Sequence, residues 1–96
     1  MQRDLHPSDG ARYLFELEHA EGSRARYRVA IYTRDAAFTG TATLDEAGGV
    51  ELSPTGGPDE LHGRLATIAK LIARDAGRLH SDGMPPWPNR ILRWRR

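Results

Sequence analysis

The sequence predicts an α+β domain: an antiparallel β-meander of three to four strands, covered on one face by one long C-terminal α-helix. Two changes of rhythm carry that expectation. Through residues 11–53 apolar and polar side chains alternate, the period of a half-buried strand. From residue 58 the apolar positions recur every three to four residues, the period of an amphipathic helix. A third observation is the closing stretch PPWPNRILRWRR over residues 85–96, which holds both tryptophans of the chain.

Taken in order, residues 1–10 form a polar start expected to be flexible. In ARYLFELEH, Tyr13, Phe15 and Leu17 fall on one side and Arg12, Glu16 and Glu18 on the other. Gly22 and Ser23 supply a turn, and ARYRVAIYTR alternates again. It places Tyr27, Val29 and Ile31 inside, with Arg26, Arg28, Ala30 and Tyr32 outside. AFTGTATL directs Phe38, Ala42 and Leu44 to the core, with Gly40 at an inward position where a bulge or a closely crossing helix is expected. Val50 and Leu52 offer a short fourth strand. Such brief connections favour an antiparallel meander.

The helix is expected over residues 58–80. Pro58 suits its first position, and Asp59 and Glu60 complement the positive end of the dipole. Leu61, Leu65, Ile68, Ala69, Ile72, Ala76 and Leu79 share one stripe of roughly 100°. Gly77 costs about 1 kcal/mol inside a helix, so the helix either ends there or continues to bring Leu79 onto the stripe. Residues 81–96 form a Pro/Trp/Arg tail expected to pack on the domain.

Ninety-six residues make a single domain with a modest core. Without cysteine, disulfide staples and thiolate metal sites are excluded. No apolar run approaches the length of a membrane span and the first residues do not read as a signal peptide, so a cytoplasmic protein is expected. The net charge of +1 conceals a polarity. Residues 1–60 carry six basic and eleven acidic side chains, and residues 61–96 eight basic and two acidic. That distribution can steer a partner or orient self-association.

Catalytic chemistry finds little purchase. His6, His19, His62 and His80 lack the three- or four-residue spacing of a helical ligand pair, so no metal site is expected. Glu16 and Glu18 share a strand face with Arg12, Arg26 and Arg28, which reads as cross-strand charge pairing rather than an acid–base pair. No nucleophile elbow or phosphate loop is present. The expectation is a non-enzymatic protein with no cofactor.

Two surfaces remain for a partner. On the helix, Arg64, Lys70, Arg74 and Arg78 form a basic ridge that encloses Leu71, while Ala66, Ala73 and Gly77 form a smooth strip that either packs on a second protomer or reflects helix propensity alone. In the tail, Pro85, Pro86 and Pro88 stiffen the chain ahead of RILRWRR. That segment is either a helical turn carrying Ile91 and Trp94 or an edge strand with Leu92 and Trp94 on one side. Docked, it would cover Leu71 and the helix end; free, its arginines would meet phosphates while a tryptophan stacks on a base. The sequence therefore predicts a protein-binding module, self-association included, that uses Leu71, Arg74, Arg78, Trp87, Arg90, Arg93 and Trp94. Nucleic-acid binding by the basic C-terminal third is the competing expectation.

Overall fold

The computed structural model describes residues 6–96. Five strands, β1 (Ala11–Glu21), β2 (Arg24–Tyr32), β3 (Ala37–Asp45), β4 (Val50–Leu52) and β5 (Arg90–Arg95), form one antiparallel sheet in the order β4-β3-β2-β1-β5. A single helix, α1 (Asp59–Ser81), covers one face. The expected meander is therefore present with its fourth strand, and the tail adds a fifth beside β1.

Each meander strand keeps the expected parity. Tyr13, Phe15, Tyr27, Val29, Ile31, Ala42 and Leu44 meet Leu65, Ile68, Ala69, Ile72 and Ala76 of α1 in one core. Fully burying a side chain of Val to Phe size stabilises a fold by about 1.5–3 kcal/mol. Gly22, at a φ of 59°, opens the two-residue β1–β2 loop at a position where hairpin turns favour glycine. Asp45 receives the N–H groups of Ala47 and Gly49 at 2.9 and 3.1 Å, which closes the β3–β4 turn.

The helix starts one residue later than expected, with Pro58 as its cap, and runs through Gly77 to Ser81. Gly77 does not end it. A Cβ there would stand 2.7 Å from the carbonyl oxygen of Glu46, so the glycine is where the β3–β4 turn touches the helix. Ala73 is likewise fully buried, so two of the three positions of the small-residue strip, Ala73 and Gly77, are used inside the domain. Gly40 departs from expectation too. A Cβ there would meet the Ser53 Oγ at 2.8 Å and the Thr55 methyl at 3.1 Å, so the chain leaving β4, not the helix, passes over it. The sheet's register shift lies in β1, between Leu17 and His19.

Residues 6–10 of the supposedly flexible start are tied down, and residues 1–5 lie outside the described part of the chain. His6 Nδ1 donates to the Thr33 carbonyl at 2.6 Å, and its ring stands edge-on to Tyr32 at 5.3 Å. The Asp9 carbonyl accepts from the Trp94 indole at 2.9 Å, and the Asp9 carboxylate pairs with Arg96 at 3.0 Å. Gly10, at a φ of 73°, lies against the backbone of Arg95 and Arg96 with no room for a side chain. Both ends of the described chain are thus clasped together.

Candidate binding surface

The tail resolves into two parts. Trp87 is buried, with its ring 6.3 Å from that of Tyr27, and Tyr27 in turn lies edge-on to Phe15 at 6.0 Å. The Tyr27 hydroxyl donates to the Pro88 carbonyl at 2.7 Å, and the Leu17 N–H donates to the Asn89 carbonyl at 2.8 Å. Burial pushes the Tyr27 phenol up to about 12. Tyr13 is raised in the same direction by burial, with the Arg64 guanidinium offsetting part of it. Here the tail is core.

After Asn89 the chain becomes β5, and the period of two decides where each side chain goes. Ile91 enters the core under the helix, and Arg93 and Arg95 share its side. Leu92 and Trp94 point through the other face, opposite Leu14 and Arg12. The expected patch of Trp87, Trp94 and Leu71 is therefore not formed. Trp87 lies inside, Leu71 lies on the outer side of α1, and Trp94 lies across the sheet from both. Leu71 is still 47% exposed, lining with Arg64, Thr67, Ile68, Arg95 and Arg96 a cavity of about 330 Å³. Arg74 is exposed on the helix, Arg78 pairs with Asp75 at 3.2 Å, and Arg93 borders a narrow groove with Ile72, Asp75 and Leu79. Arg90 lies on the far face opposite Glu16.

That far face carries what the alternation rule had passed over. Leu14 and Ala30 are each only 4% exposed, yet neither belongs to the core cluster. They stand in register with one another and with Leu92, forming an apolar row across β2, β1 and β5. The neighbouring row toward one sheet end is Tyr32, Arg12 and Trp94; the row on the other side is Arg28, Glu16 and Arg90. Trp94 is 44% exposed and Leu92 37%. No described helix or strand covers the middle of this face, but at its Tyr32–Trp94 end the 6–10 segment lies against it, through His6 on Tyr32 and Asp9 on Trp94. The signal was present in Tyr13-Leu14-Phe15, three consecutive large apolar residues, which is the mark of a strand with apolar contacts on both faces.

Further along the same face the charges pair locally. Arg26 meets Glu18 at 3.5 Å and Arg24 meets Glu51 at 3.9 Å. These are exposed pairs, worth at most about 1 kcal/mol each. The free edge of β5 is also closed off. With Leu17 and Asn89 bonded, strict antiparallel alternation turns the carbonyls of Leu92 and Trp94 outward. Each accepts from the guanidinium of the following residue, Arg93 at 3.2 Å and Arg95 at 2.9 Å. Edge carbonyls engaged by charged side chains resist the addition of another strand.

Among the described residues, no three His, Asp or Glu side chains converge as metal ligands would. His80 Nδ1 lies 2.7 Å from Glu46, and His19 Nε2 lies 3.4 Å from Glu21. The hollow of about 400 Å³ at the β1–β2 turn, lined by His19, Glu21, Arg24, Ala25, Arg26 and Thr43, is shallow and lies beyond the apolar row. The fold thus defines a class, a two-layer sheet-and-helix domain whose outer sheet face carries aromatic and arginine side chains beside an apolar row. Comparison with protein-family models, with curated proteins and with solved structures gave no match.

Proposed function

We propose that this chain is a non-enzymatic protein-binding module and that its contact surface is the exposed sheet face. The single observation that carries this is the register of Tyr32, Arg12 and Trp94 beside the apolar row of Ala30, Leu14 and Leu92. Trp, Tyr and Arg are the side chains most enriched where binding energy concentrates, and an apolar centre beside polar neighbours is the usual anatomy of a protein interface. The seat is rigid, because four of these residues lie on β1 and β2, inside the sheet. The outer side of α1, with Leu71 and Arg74, is a second and separate surface.

Nucleic acid is the competing partner. Glu16 stands between Arg28 and Arg90 in register, and Glu18 lies beside Arg26, which weakens the attraction of this face for phosphate. A cytoplasmic setting belongs to the proposal; among the described residues no helix is long and apolar enough to cross a membrane.

A photo-crosslinking residue in place of Leu92, compared in cells with one in place of Lys70, tests the assignment. Protein adducts at position 92 but not at 70 are expected. Adducts that nuclease shortens, or none at 92, overturn it.

A further inference from the structure

On the helix side of the sheet, α1 and the end of β5 do not close on one another. They leave a hollow of about 330 Å³, with Arg64, Thr67, Ile68 and Leu71 on one wall and Arg95 and Arg96 on the other. That volume lies at the lower end of those that hold small molecules. Ile68 and Leu71 make it apolar along the helix, and Leu71 is a large apolar side chain that α1 leaves exposed.

The three guanidiniums at the hollow are not equivalent. Arg96 pairs with Asp9 at 3.0 Å and stands over the Trp94 ring. Arg64 is held by Glu60 at 3.3 Å and by the main-chain oxygen of Arg96 at 2.7 Å. Arg95 donates to the carbonyl of its neighbour Trp94 at 2.9 Å, and no carboxylate meets it among the described residues. By side chains, three positive charges at the hollow stand against the two carboxylates that engage them, which leaves a surplus of one. A second observation concerns the adjoining core. Tyr13 is fully buried, and its hydroxyl makes no hydrogen bond of good geometry. The charged groups acting on it are Arg64, Glu60 and Arg95, which places it beside this hollow. A buried polar group without a partner is uncommon. Here an orphaned hydroxyl and an unpaired guanidinium, both able to donate, belong to one apolar hollow.

We propose that this hollow binds a small monocarboxylate with an apolar body, of the medium-chain fatty acid class, with its carboxylate on Arg95 and its chain along Ile68 and Leu71. The planar fork of a guanidinium matches a carboxylate. The surplus of one charge selects a monoanion, since the second charge of a phosphate would face Glu60 without a free cation to offset it. A neutral apolar molecule of the same length would dry the site and leave Arg95 unpaired. The site lies on the opposite side of the sheet from the proposed protein-binding face and does not depend on it.

Octanoate titrated into the isotope-labelled full chain, followed by NMR, tests the proposal. Saturable shifts at Thr67, Ile68 and Leu71 are expected, with a dissociation constant on the order of 0.1–1 mM. Octanol, acetate and inorganic phosphate, each lacking the charge or the apolar body, should bind about tenfold more weakly or worse. Arg95→Ala, at an exposed position, should weaken octanoate about tenfold without changing the circular dichroism. Leu71→Asp should abolish the shifts, and Leu92→Asp, on the other face, should leave them intact. The proposal is overturned by octanol binding as tightly as octanoate, by phosphate reproducing the shifts, by an Arg95→Ala variant that binds unchanged, or by no saturation below about 10 mM.

Discussion

The hydroxyl of Tyr27 donates a 2.7 Å hydrogen bond to the carbonyl of Pro88, joining the middle strand of the sheet to the segment that leads into β5. Tyr27→Phe keeps the ring and removes this bond, leaving a carbonyl without its donor. The expected loss is about 1–2 kcal/mol, read as a lower midpoint in urea with an unchanged slope.

The same phenol sets an alkaline limit. Its pKa is raised from 10.0 to about 12 by burial, so above pH 10 the unfolded chain has released a proton that the folded chain still holds. Stability is complete below pH 10 and falls as the pH climbs toward 12, by about 1.4 kcal/mol per unit at the steepest. Urea midpoints measured between pH 9 and 12 should show a shallower fall in Tyr27→Phe. Tyr13, shifted in the same direction, accounts for part of what remains.

The two tryptophans should report different environments. With Trp94→Phe, emission comes from buried Trp87 alone and is expected to be blue-shifted and protected from acrylamide. With Trp87→Phe it comes from Trp94, half exposed on the sheet face, and should be red-shifted and readily quenched. Equal quenching in both variants would contradict the placement of the tail. Trp87→Ala should cost about 3–5 kcal/mol, enough to unfold a domain of this size.

Two helical glycines should respond in opposite directions. A Cβ at Gly63 meets nothing within 4 Å, so Gly63→Ala should stabilise by up to about 1 kcal/mol through helix propensity. A Cβ at Gly77 collides with the Glu46 carbonyl, so Gly77→Ala should destabilise by about 1–3 kcal/mol despite the same propensity gain. Thermal midpoints of the two variants, measured side by side, check this.

Removing residues 85–96 should leave no folded protein, because Trp87 and Ile91 are core and β5 is a strand of the sheet. Circular dichroism of the truncated chain checks it. Partner binding is therefore dissected with Arg90→Glu or Leu92→Asp, whose side chains are exposed, rather than by truncation.

The sequence by itself determined the four meander strands and the helix, because alternation and the 3.6-residue period are local properties that one buried face imposes on each element. It also marked Tyr27, Val29 and Ile31 as core and kept Arg26 and Arg28 outside it. Two matters were decided only by the tertiary structure. RILRWR is too short for its pattern to choose between strand and helical turn, and the choice came from β1, whose free edge it pairs. That pairing, with the alternation of β5, sent Ile91 to one face and Trp94 to the other, so Trp94 stands with Arg12 and Tyr32 instead of Leu71. Gly77 was ambiguous for a related reason. Helix propensity acts within the helix, whereas the Glu46 carbonyl that excludes a side chain belongs to a turn more than thirty residues earlier, which only folding brings close.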